Sequence, residues 1–142
     1  MLHTVELGEY MLKRPITVTP QMTVYEAAHH ILENKISGVL VVDNNNHLVG
    51  MLSELDCLKA ILSGVYNDEE FGVAIVSDIM TCDVECQNPH DDIIDVALSM
   101  IEHKHRRRPV VLDGKIIGQV TCRQILKVIG ETGLKARPKG NQ

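Results

Sequence analysis

The feature that most constrains this chain is that it is written twice. Laid on itself at a shift of about 69 residues, it puts Met11 on Met80, Pro20 on Pro89, Ala28 on Ala97, Glu33 on Glu102 and Lys35 on Lys104. Val41-Val42 meets Val110-Val111. After a one-residue deletion in the following turn, Gly50 meets Gly118 and Ser53 meets Thr121. Solenoid units repeat every roughly 20–50 residues, so this longer period marks a duplicated half-domain.

Both copies have the same internal order. A short extended piece ends in proline, PITVTP in the first and DVECQNP in the second, because the residue before a proline is pushed out of the helical region. A helix follows. Thr23-x-x-Glu26 is a capping box, and Val24, Ala27, Ala28, Ile31 and Leu32 recur at helical spacing. The second copy repeats that face with Ile93, Val96, Ala97, Met100 and Ile101, capped by Asp92. Two strands come next: SGVLVV and HLVGMLS around Asn44-Asn45-Asn46, then RPVVL and KIIGQVT around Asp113-Gly114, a two-residue hairpin signal. A closing helix ends near Gly64 in one copy and near Gly130 in the other. The order is β-α-β-β-α, twice. The fold class is α/β (α+β by another convention), with copies at 8–66 and 76–130, a linker at 67–75 and a disordered tail at 131–142.

Composition narrows the function. Apolar residues make up 44% of the 142 and Trp is absent, so the core is aliphatic. A net charge of −5 speaks against a bulk field that attracts nucleic acid or anionic lipid. No stretch reaches the roughly 18 apolar residues of a membrane span, and MLHTVELGEY does not read as a signal peptide. Four cysteines without a CxxC pair suit a reducing compartment, so a cytoplasmic location is expected.

The stretches Gly50–Asp56 (GMLSELD) and Gly118–Gln124 (GQVTCRQ), each after an apolar strand and leading into a helix, resemble the CBS-domain motif. Two such repeats in tandem resemble a Bateman module, and the likeness covers about residues 8–130. The resemblance implies two repeats packed through their sheets with pseudo-twofold symmetry and two clefts between them that take adenosyl ligands. It implies a regulatory sensor, not an enzyme, with AMP, ADP or ATP as the leading ligand class, S-adenosylmethionine-like compounds and cyclic dinucleotides as alternatives, no required cofactor and no effector domain on this chain. Carried over residue by residue, one cleft would use Gly50, Met51, Ser53 and Asp56, backbone at Asp83, Val84 and Glu85, and Arg106 and Arg107 for phosphate. The other, weaker cleft would use Ile16, Thr17, Ser37, Gly38, Thr121 and Gln124. The roles are chemically apt. A carboxylate such as Asp56 can accept from vicinal ribose hydroxyls, a helix start suits phosphate, and a glycine in a strand permits close approach of a flat base.

Plainer readings stand beside these. Ser53 and Thr121 are also N-caps, and Asp56 also complements a helix dipole. Gln124 replaces the expected aspartate, and Ser37-Gly38 stands where the other copy has Arg106-Arg107, so both differences weaken the same cleft. The run His103-Lys104-His105-Arg106-Arg107-Arg108 also reads as a solvated face. No aromatic platform accompanies it, so nucleic-acid binding is the lesser alternative. A structural or interaction module with inactive clefts is the other. Cys82, Cys86 and His90 lack a fourth ligand for structural zinc, and no metal is expected. Those two cysteines read as small packing residues. Cys57 and Cys122 sit at helix starts, where a thiol pKa can fall. No nucleophile–base pair or phosphate loop is visible. The resemblance also implies a homodimer, with Leu58, Ile61, Leu62, Ile125, Leu126 and Ile129 as candidate outer faces.

Overall fold

The strands form where the aliphatic runs stand. A computed structural model describes residues 5–66 and 74–131. In the first copy, β2 (Thr17–Val18) pairs parallel with β3 (Gly38–Val42), which pairs antiparallel with β4 (Leu48–Ser53). Every residue of β3 is buried, as expected for an unbroken apolar strand covered on both faces. Helices α1 (Val24–Glu33) and α2 (Glu54–Tyr66) pack Val24, Ala27, Ile31 and Cys57 onto Val18, Val39, Val41 and Leu52. In the second copy, α4 (Ile93–His103), β5 (Arg107–Leu112), β6 (Lys115–Thr121) and α5 (Cys122–Ile129) build the matching core of Ile93, Val96, Met100, Val110, Val120 and Ile125. Asp113 and Gly114, with φ of 53° and 78°, make the hairpin expected at that dipeptide. The aligned pair Lys35 and Lys104 are both left-handed, with φ of 53° and 57°, each ending the turn after its helix.

The two copies differ at the first strand. Where the first has β2, the second has only one parallel bridge, Gln87 to Val110. The cause is Pro109 at the position of Leu40: it has no N–H with which to continue the ladder.

Copy and compact unit divide the chain at different places. One unit comprises described residues within 15–84. The other joins residues 5–14 to 85–131. The segment at the start of each copy packs on the opposite one, with equivalent bonds. Val24 and Val76 N–H groups donate to Ala74 and Met22 carbonyls at 2.8 Å each. In the second unit, Ile93 and Leu7 N–H groups donate to Val5 and Asp91 carbonyls at 2.9 Å each. Val76, in the short helix α3 (Val76–Ile79), and Leu7, in a 3-10 turn, are both fully buried plugs. Thr81 then bridges Met51 on β4, as β1 (Leu12–Lys13) pairs with β6.

Some expectations are corrected. α2 runs through Gly64 to Tyr66, because that glycine does not take the left-handed conformation that would stop it. Ile125 is core, 4% exposed, and Ile61 and Ile129 are half-buried against their cores. Leu58, Leu62 and Leu126 are exposed. The linker expected at 67–75 falls outside the described residues apart from Ala74 and Ile75, as does the tail at 131–142 apart from Glu131.

Candidate ligand site

Each copy assembles its motif residues at one junction, where the second hairpin strand turns into the closing helix. In the first unit, the Ser53 N–H donates to Asp56 Oδ2 at 2.9 Å, and the Asp56 N–H donates to Ser53 Oγ at 3.0 Å. This reciprocal capping box satisfies two of the donors that a helix start leaves open. Gly38 lies opposite Ser53 in the strand register, and the Ser37 carbonyl accepts from the Glu54 N–H at 2.9 Å. Ser37, Gly38, Ser53 and Asp56 therefore sit together.

The second unit repeats the arrangement with different chemistry. Thr121 N–H donates to Gln124 Oε1 at 3.0 Å, and Gln124 N–H donates to Thr121 Oγ1 at 3.2 Å. Arg107 lies opposite Thr121, and the Arg106 carbonyl accepts from the Cys122 N–H at 3.0 Å. Arg106, Arg107, Thr121 and Gln124 thus form one group. Arg106 is exposed and Arg107 half-buried.

The caps leave unlike groups behind. Asp56 commits Oδ2 to its cap, and Oδ1 accepts no hydrogen bond among the described residues. Gln124 Oε1 accepts from both the N–H of Thr121 and, at 3.4 Å, its hydroxyl, which engages both lone pairs and leaves the amide to donate. One junction offers an oriented anionic acceptor. The other offers a neutral donor, where the backbone of Arg106 and Arg107 meets Thr121 and Cys122.

The motif glycines have an occupant of their own. A β-carbon built on Gly50 would lie 2.7 Å from Met80 Sδ and 2.9 Å from the Thr81 carbonyl. On Gly118 it would lie 2.6 Å from Met11 Sδ and 2.8 Å from the Leu12 carbonyl. Both glycines admit the leading segment of the other copy. The Met51 N–H and carbonyl are likewise taken by Thr81, at 2.9 Å each. Asp83 and Glu85 are exposed and Val84 half-buried, on the stretch where one compact unit gives way to the other. Ile16 is exposed beside β2, and Thr17 is paired with Leu40.

Cysteine chemistry differs from expectation. Cys57 is buried, and desolvation, with Asp56 beside it, raises its pKa. The helix start does not lower it, because the thiol points into the core. Cys82 and Cys86 are exposed rather than packed, and partial desolvation of the Cys86 thiol, with Glu85 nearby, raises its pKa. Among the described residues, no group of three or more His, Cys, Asp or Glu is placed to hold a metal ion. No described helix is long and apolar enough to cross a membrane.

The family model for the CBS domain matches residues 7–63 and again 76–131. The chain belongs to the CBS-domain family. An uncharacterized protein of Methanocaldococcus jannaschii is 29% identical to this CBS pair over 122 residues, 86% of this chain and 42% of that protein. An inosine-5'-monophosphate dehydrogenase of Staphylococcus aureus is 34% identical over 122 residues, 84% of this chain and 23% of the dehydrogenase. The chain therefore spans less than half the length of these relatives. Among solved structures, CBSX2 in complex with AMP superposes with a TM-score of 0.79 at 30% identity, covering 89% of this chain and 96% of that one.

One buried charge escaped the sequence reading. Arg108 closes a charge run that reads as solvated, yet it is 1% exposed. Its nearness to Pro109 and a core strand was the available signal.

Proposed function

We propose that this CBS pair is a cytoplasmic regulatory module that binds an adenine nucleotide of the AMP, ADP or ATP class and catalyses no reaction. The observation that carries the reading is the free oxygen of Asp56. Its carboxylate is fixed by the cap through one oxygen, which leaves the other oriented to accept from a ribose diol. The similarity to CBSX2, whose structure holds AMP, supports the ligand class. Arg106 and Arg107 are the donors for phosphate, Ser53 a further polar contact, and Asp83, Val84 and Glu85 supply backbone to the base. Ile16, Thr17, Ser37, Gly38, Thr121 and Gln124 make a weaker second set, since Gln124 retains no acceptor. The exposed leucines of α2 and α5 are covered by a second copy in a homodimer. Titration calorimetry with AMP, ATP and adenosine tests the reading. One site per chain, weakened in Asp56→Ala, is expected. No binding by any adenosyl compound leaves the structural-module reading in its place.

A further inference from the structure

The duplication supplies its own control for one unusual cluster. At three equivalent positions the first copy has Val18, Ile36 and Val39, and the second has Gln87, His105 and Arg108. The first trio belongs to an aliphatic core, with Val18 and Val39 each 1% exposed. The second puts a guanidinium into the same place. Arg108 Nη1 donates to Gln87 Oε1 at 2.7 Å and to Ser99 Oγ at 2.8 Å, and its Nε donates to His105 Nδ1 at 3.1 Å. Its remaining nitrogen stands 3.5 Å from His103 Nδ1. That atom is itself 2.8 Å from the Ser99 carbonyl, which only accepts, so it carries a proton and offers Arg108 nothing.

Among the described residues, no carboxylate forms an ion pair with this cation. Asp91 reaches the cluster only through the Gln87 amide, which donates to its Oδ2 at 2.7 Å. A buried charge held by neutral partners is not a device for stability, since apolar side chains of similar volume often do as well or better. The twin copy demonstrates that alternative. What the polar trio adds is a bond that depends on protonation. His105 Nδ1 can accept from Arg108 only while the imidazole is neutral. A proton there turns an acceptor into a second donor and sets two cations face to face.

We propose that Arg108, His105 and Gln87 form an acid-sensitive latch, which holds the Gln87 segment against β5 while His105 is neutral and releases it when His105 is protonated. Two backbone bonds also tie Gln87 to β5. Gln87 N–H donates to the Pro109 carbonyl, and Val111 N–H donates to the Gln87 carbonyl, each at 2.9 Å. The groups around His105 agree in direction. Burial, Arg108 on β5 and His103 at the end of α4 lower its pKa from 6.5, and Glu85 on the preceding segment opposes them. Cys122 on α5 meets only its carbonyl, by a thiol hydrogen bond of 3.3 Å. Because folding favours neutral His105, its contribution is complete above the unfolded value near 6.5 and is lost as pH falls through and below it.

The test compares the protein with its own first copy. The triple variant Gln87→Val, His105→Ile, Arg108→Val installs a trio that the twin already packs. Urea unfolding of the full chain, followed by circular dichroism between pH 7.5 and 5.5, should show a parent unfolding constant that rises by up to about tenfold per pH unit, the limit for one proton. The variant should lack that component. The other histidines are common to both proteins, so what they contribute cancels in the comparison. If the variant does not fold, proton NMR of the parent decides: His105 should titrate below 6.5, and protection of the Gln87 and Val111 amides should fall with it. Equal pH slopes in parent and variant, or His105 titrating at or above 6.5, would overturn the latch.

Discussion

At the scale of single residues, one side chain often serves fold and site together. Asp56 caps α2 with one oxygen and keeps the other available. Asp56→Asn can keep the cap, because the amide oxygen still accepts from Ser53, but it offers a ligand a donor in place of an anion, as Gln124 does. Calorimetry with AMP should show affinity falling about 10- to 150-fold, the scale of about 1.5–3 kcal/mol for a hydrogen bond to a charged group. Gln124→Ala should change it little. Equal losses in the two variants would show that the cap asymmetry has no bearing on binding. Gly50 makes the complementary case. Gly50→Ala places a carbon against Met80 and the Thr81 carbonyl, and backbone cannot yield as a flexible side chain can. The expected cost is about 1–3 kcal/mol of stability by urea unfolding, typical of overpacking, with Gly118→Ala alike because Met11 and Leu12 take the same place.

At the scale of elements, legibility in the sequence follows the range of the interaction. The Thr23–Glu26 box and the N-caps Ser53 and Thr121 close within one turn and could be read from the sequence alone. The hairpin at Asp113-Gly114 was legible for the same reason. The two leading segments were not. That Leu7 bonds to Asp91, and Val76 to Met22, is decided by contacts far apart in sequence, and neither short segment carries a periodic pattern. The burial of Arg108 was hidden too, because its partners Gln87 and Ser99 lie on two other segments. The site was half legible: Ser53 and Asp56 were placed together by their motif, while the occupant of the space beside Gly50 was not foreseen. The leading segments give an element-scale prediction. Leu7 is fully buried in the unit formed by 85–131, so Leu7→Ala should destabilise that unit by about 2–5 kcal/mol, the range for truncating a buried leucine. Hydrogen exchange should show protection lost at Val110 and Val120 and retained at Val41. Equal losses in both units would mean that the segment does not belong to one of them.

At the scale of the whole molecule, assembly and ligand binding both leave their mark on stability. Leu58, Leu62 and Leu126 stand 52%, 46% and 69% exposed, apolar surface that a second copy would cover. Sedimentation at tens of micromolar should then give a dimer, and a monomer with and without AMP would remove that part of the proposal. A ligand that binds the folded chain alone stabilises it by about 2.7 kcal/mol at a hundredfold excess over its dissociation constant. For a chain of this size each kcal/mol moves the melting midpoint by roughly 2–5 °C, so AMP at that excess should raise it by about 5–13 °C. If Arg106 and Arg107 meet the phosphate, AMP and ATP should each raise it more than adenosine does at equal concentration. Replacing both arginines with alanine should erase that difference and spare the adenosine effect. Added salt should shrink the nucleotide shift, because Arg106 is exposed and its field is screened within about 10 Å at 0.1 M. Each comparison is made within one variant, so a change in baseline stability from losing Arg107 does not enter. If adenosine matches the nucleotides in the parent protein, the arginines do not hold phosphate, and Asp56 with the backbone of 83–85 is left to hold the nucleoside alone.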